Sequence, residues 1–142
     1  MEIASHIETY FASLPAAKQN DMRELHRVVL ELNPSCQLWF LDGKNEAGKV
    51  VSNPNVGYGL QTLEYAKGAK RDFYQVGISA NSTGISVYII GISDKNYLKH
   101  TFENRIGKAS ITGYCIKFKS LKDVALNVLI EAIQCGFEIR NA

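Results

Sequence analysis

An α+β fold on a mostly antiparallel sheet is what this sequence predicts, and three observations predict it. Two helical apolar stripes come first, strand-like segments joined by turn residues fill the middle, and another long helical stripe closes the chain. Helices that bracket a run of strands, rather than alternating with them, belong on one face of an antiparallel sheet. The expectation is one domain over residues 1–142, with about five strands and two N-terminal helices and a C-terminal helix packed on them. A chain of 142 residues is long enough to bury roughly two thirds of the surface it exposes when unfolded.

The elements follow in order. Ile3, Ile7, Tyr10, Phe11 and Leu14 recur at helical spacing and give a first helix one apolar face. Pro15 stops it and suits the start of the next, since proline fits the first helical turn. Met22, Leu25, Val28, Val29 and Leu32 stripe a second helix, which Asn33-Pro34 ends. The apolar run Gln37–Leu41 around Trp39 is a short strand, and Asp42–Asn55, rich in Gly, Asn, Lys and Pro, is a loop. Strands are expected at Val56–Tyr65, Phe73–Ser79 and Ile85–Ile90. The last alternates cleanly, with Ile85, Val87 and Ile89 on one face. Ala80–Gly84 suits a hairpin between the last two of these. Tyr97–Ile106 is helical, Thr112–Phe118 is another strand, and Leu121, Val124, Val128, Leu129 and Ile133 stripe the final helix. Asp123 is its expected N-cap and Gly136 its C-terminal stop.

Composition narrows the classes of function. Hydrophobic residues at 46% and charged residues at 21% exclude a disordered chain. A net charge of +2 is too small for the whole chain to be a nucleic-acid binder. The charge is uneven, however: residues 94–122 carry seven basic against two acidic side chains, and the first 33 carry five acidic against three basic. Cys36, Cys115 and Cys135 are odd in number and form no CxxC, so reduced thiols are expected. Neither a signal-type apolar segment nor a run of about 18 apolar residues is present, which points to a cytoplasmic chain without a membrane partner.

The motif search finds places to bind and no constellation that reacts. Val56-Gly57-Tyr58-Gly59 contains a Gly-x-Gly, but Thr62 stands where the dinucleotide fingerprint needs its third glycine, and the segment continues as a strand. Gly57 and Gly59 leave a shallow groove on one strand face, fit for a packed helix, an aromatic ring or a ligand. His6, His26 and His100 are scattered, with no HExxH, and no GxSxG elbow exists. Cys115, between Tyr114 and Ile116, has the setting of a buried inert thiol. Asp21, Glu24 and Glu31 share helical spacing, as solvated surface charge or as hard oxygen donors for a cation. The loop Gly107–Gly113 places Lys108 among glycines and hydroxyls, where backbone N–H groups and an ammonium can hold a phosphate or carboxylate. Lys117 and Lys119 share a strand face, expected opposite Tyr114, Ile116 and Phe118, either guarding an edge or adding to an anion-attracting surface.

Three stretches resemble the YdhG-like domain, catalogued as a domain without assigned function. They are Ile7–Pro15 with its "SLP" break, the central Val56–Gly59, Tyr65–Gly68 and Val76–Ser79, and Ile106–Lys108 with Tyr114–Val124. In order and spacing the likeness covers nearly the whole chain. It implies an α+β fold with helices on an antiparallel sheet, often a homodimer, and no reaction to carry over. Some relatives are described as frataxin-like iron chaperones. Two departures stand out: Asn81-Ser82 occupy the places of an Arg-Lys pair, and Ala109-Ser110-Ile111 replace further lysines.

Three readings follow. The first is a non-catalytic binding module that uses Gly57, Tyr58, Gly59, Lys108 and Lys117. The second is an iron chaperone with Asp21, Glu24 and Glu31 as ligands. The third is an enzyme or sensor that clamps a small anionic ligand with Lys108.

Overall fold

The computed structural model describes residues 3–64, 68–92 and 94–138. The expected strand end at Tyr65 and the family-like stretch from Tyr65 to Lys67 lie outside those residues.

The helical stripes lie where the apolar spacing puts them. Helix α1 (Ile3–Ala12) buries Ile7, Tyr10 and Phe11, and α2 (Ala16–Leu32) buries Met22, Leu25, Val28 and Val29. Pro15 is the N-cap of α2, and its carbonyl accepts the first helical bond from Gln19 N–H at 2.8 Å. Asn33 caps the far end through its N–H to Val29 O.

Eight strands follow in the chain: β1 (Leu38–Leu41), β2 (Asn55–Tyr58), β3 (Gln61–Glu64), β4 (Lys70–Phe73), β5 (Val76–Asn81), β6 (Gly84–Ile89), β7 (Ser110–Thr112) and β8 (Cys115–Phe118). Six form one sheet in the order β1-β2-β5-β6-β8-β7, each neighbour antiparallel, while β3 and β4 pair as a separate hairpin. Helix α3 (Tyr97–Phe102) precedes β7, and a 3-10 turn (Leu121–Asp123) leads into α4 (Leu126–Glu138). The antiparallel α+β architecture is as expected, with more strands than expected because three predicted strands are each divided.

Each division has a local cause. The run Val56–Tyr65 breaks after Tyr58 because Gly59 sits at φ +87°, a conformation no regular strand uses. Gly59 N–H bonds Gln37 O, and its carbonyl accepts the Trp39 indole N–H at 2.7 Å, so both its backbone groups turn toward β1. The partner run Phe73–Ser79 breaks opposite, at Tyr74-Gln75. Gln61 fastens this corner: its Nε2 donates to Tyr74 O at 3.0 Å and Ile90 O at 3.1 Å. Thr112–Phe118 is in fact the end of β7, a Gly113-Tyr114 turn and β8. Helix α3 is shorter than the expected Tyr97–Ile106, although Ile106 remains in the core.

Two expected helix ends are also corrected. Asp123 lies in the 3-10 turn and does not cap α4; its backbone carbonyl accepts from Lys108 N–H. Gly136 is an interior residue of α4, and a Cβ there would meet Val76 Cγ2 at 2.8 Å. Close approach of helix to sheet, rather than a stop, explains this glycine.

The inner face of the sheet carries Val56, Val76, Ile78, Val87, Ile89 and Ile116, all fully buried beneath the helices. They form one core cluster with Phe11, Met22, Leu25 and Leu129. Each such aliphatic side chain contributes about 1.5–3 kcal/mol by burial. Among the described residues, no helix is long and apolar enough to cross a membrane.

Candidate functional site

Lys108 belongs to a hollow that the long-range hydrogen bonds hold in shape. Its N–H donates to Asp123 O at 3.0 Å, and Ala125 N–H donates to Ile106 O at 2.8 Å, tying the loop before β7 to the segment before α4. Asp21 of α2 accepts Leu121 N–H at 3.0 Å, across 100 residues of chain. These ties gather Lys108, Lys119 and Lys122 with Asn20, Asp21 and Asp123 around a hollow of about 730 Å3. None of the three lysines is in an ion pair among the described residues. One Asp21 oxygen accepts the Leu121 N–H, and Asp21 and Asp123 set two carboxylates beside the three lysines.

Lys117 is elsewhere. It is exposed on the outer face of β8, paired in register with Ser86 and Ser110. Lys119 follows the end of that strand and turns into the Lys108 hollow. The two lysines therefore do not act as one strand face. Tyr114 is corrected as well: it lies in the turn before β8, 56% exposed, with its ring near Tyr88, not opposite the lysines.

The carboxylates of α2 are not brought together. Arg27 bonds Glu24 at 2.6 Å and also Glu31, while Asp21 is the partner of Leu121. A cation held by Glu24 and Glu31 would have to displace this guanidinium, whose proximity holds the Glu24 carboxyl below its ordinary pKa. Among the described residues, no three His, Cys, Asp or Glu side chains converge on a metal position.

Tyr58 points inward, not into a surface groove. Its hydroxyl is fully buried and lies 2.7 Å from His26 Nδ1. Burial raises the Tyr58 pKa well above that of free tyrosine and lowers that of His26, with Arg23 adding to the latter. A neutral imidazole that accepts a hydrogen bond at Nδ1 from the Tyr58 hydroxyl leaves the buried phenol paired. His6 stacks on Phe40 with centroids 5.8 Å apart, and His100 is exposed, so each histidine has a separate setting.

Gly57 is roofed by the protein's own aromatic ring. It pairs across the ladder with Gly77, and Cβ atoms at either position would overlap Tyr74, at 2.1 Å from Cδ2 and 2.6 Å from Cε1 respectively. Tyr74 lies flat in this double-glycine notch, 4% exposed, and stacks on Phe73 with centroids 4.1 Å apart. Burial raises the pKa of the Tyr74 phenol and of Tyr88. Cys115, register partner of Tyr88, is a buried thiol whose pKa burial also raises, in keeping with an inert role.

Beside that notch, Phe73, Tyr74, Tyr88 and Tyr114 line a second hollow of about 430 Å3, walled on one side by Asn53 and Asn55. The Asn55 side-chain oxygen is buried and takes no hydrogen bond among the described residues. An unpaired buried acceptor of this kind costs about 1–3 kcal/mol. Sequence reasoning missed this hollow. Tyr74 and Tyr114 come from the turns Tyr74-Gln75 and Gly113-Tyr114, Phe73 and Tyr88 from β4 and β6, and the usable signal was the second glycine, Gly77, matching Gly57 across the ladder.

No family model, curated protein or solved structure matches the chain. The likeness to the YdhG-like domain therefore rests on the residues quoted for it.

Proposed function

We propose that this protein is a non-catalytic binding module that holds a small anion, of the phosphate or carboxylate class, between Lys108, Lys119 and Lys122. The observation that carries the reading is the convergence of three lysines without ion-pair partners on one hollow. The three ammonium groups outnumber the two carboxylates, Asp21 and Asp123, that share the hollow, and the excess positive charge favours an anion there. The ties from Lys108 N–H to Asp123 O and from Leu121 N–H to Asp21 keep the hollow formed before any ligand arrives. Preorganisation of that kind lowers the ordering cost of binding.

The test is thermal unfolding with pyrophosphate at constant ionic strength, on wild type, Lys108→Ala and Lys119→Ala. A ligand at a hundred times its dissociation constant adds about 2.7 kcal/mol to native-state stability, so Tm rises by several degrees in wild type. Each variant loses most of that rise. An equal rise in all three chains overturns the proposal.

A further inference from the structure

The six-stranded sheet ends in two unlike edges, β1 and β7. We propose that β1 pairs antiparallel with β1 of a second copy of this chain, about a two-fold axis at Trp39.

The backbone sets the register. Gly59 N–H donates to Gln37 O, and Leu38 lies opposite Tyr58 in the ladder, so Trp39 and Leu41 are the residues that exchange bonds with β2. The N–H and C=O groups of Leu38 and Phe40 point the other way, and among the described residues nothing bonds them. Such an edge is self-complementary. With Leu38 of one copy opposite Phe40 of the other, each outward donor meets an acceptor. Trp39 then faces its own counterpart in a non-hydrogen-bonded pair, where Cα atoms come within about 4.5 Å and aromatic side chains attract across the strands. Asp42 falls opposite Cys36, so no like charges meet.

The side chains favour the same edge. All of β1 is large and apolar, and none of its residues is fully buried. Neither a charge, a proline nor a bulge guards it. The opposite edge, β7, is a three-residue strand with exposed Ser110 and Thr112 at its ends, the short polar form that discourages pairing. Apolar surface continues beside β1 at Val50 and Val51, 64% and 63% exposed, held at the strand end by Val51 N–H on Gly43 O. An extended peptide from another protein could meet the same backbone groups. A second copy is singled out because one two-fold operation matches every outward bond, sets apolar residues against apolar residues and opposes no charges.

The test is sedimentation of the full chain over a range of concentrations, with wild type passing from monomer to dimer. Trp39→Lys and Trp39→Glu each set like charges face to face across the axis and weaken the dimer about tenfold. An equimolar mixture of the two, both folded by circular dichroism, brings Lys opposite Glu and restores association. Wild type supplies a reading that needs no variant: amide exchange at Leu38 and Phe40 slows as concentration rises. A chain monomeric at millimolar concentration would leave the edge to a strand from another protein and overturn the proposal. So would a dimer untouched by either substitution, a mixture no more associated than its parts, or Leu38 and Phe40 amides that exchange at one rate throughout.

Discussion

On its inner face the six-stranded sheet presents Val56, Ile78, Val87 and Ile116 to helices, whereas on its outer face the same strands carry Gly57, Gly77, Ser79 and Ser86. Both sets are buried. The inner residues are covered by long amphipathic elements, and each supplies its own apolar bulk. The outer residues supply almost none, and what covers them comes from turns: Tyr74 fills the glycine notch, and Ser79 Oγ donates to Pro54 O at 2.7 Å under the loop before β2. A face can thus be dry without being apolar in sequence, provided that a ring or a backbone carbonyl is delivered from outside the strand.

The largest effects test whether the two faces are equally structural. Leu129→Ala removes a fully buried inner contact and should cost about 3 kcal/mol in urea unfolding. Tyr74→Ala on the outer face should cost a similar amount, about 3 kcal/mol, because that ring is as enclosed as a core residue. A loss below about 1 kcal/mol for Tyr74→Ala would reduce the outer ring layer to surface trim and break the comparison.

A smaller effect sharpens it. Gly57→Ala places a methyl group against Tyr74 and should destabilise by about 2 kcal/mol through overpacking. In a Tyr74→Ala background the same change should be nearly free, because the two sites share one volume. Additive losses in the double-mutant cycle would show that something other than the ring forbids a side chain at position 57.

The smallest effect separates the faces by pH. The inner side holds the Tyr58–His26 pair, and burial keeps the His26 pKa below its ordinary value. As pH falls below about 6.5, the unfolded chain takes up a proton at His26 before the folded chain does. The contribution is therefore complete above that pH and is lost toward the lowered folded value. Stability measured from pH 7 to pH 5 should fall in wild type, and His26→Gln should flatten the slope. Carboxylates such as Glu8 and Glu24, whose pKa values are lowered by arginine partners, act at more acid pH and leave this window clear. An unchanged slope in the variant would remove His26 as its source.

What was legible in the sequence divides along the same line. The apolar stripes of α1, α2 and α4 and the alternation of β6 have strong periods, and periodicity records which face is covered by a regular element. Lys108 was legible because a glycine-rich loop with one lysine is a local pattern, but its union with Lys119 and Lys122 depends on bonds such as Asp21 to Leu121. Gly59 looked like part of a strand groove because glycine spacing does not disclose φ. Gly136 looked like a helix stop because a glycine near a helix end does so whether it caps the helix or lets it approach a sheet. Tyr114 was placed on the wrong face because the β7–β8 turn shifts the alternation by which strand faces are counted.

The double-glycine notch also restricts the order in which this protein could change over time. With Tyr74 in place, any side chain at 57 or 77 collides with its ring, so both positions stay locked while the tyrosine remains. Losing the ring first opens a void into which side chains at 57 and 77 would project. Neutral drift at the three positions must then pass through one particular sequence of steps, each of the reverse orders meeting a clash. The ring and the two empty positions beneath it are inherited as a single unit.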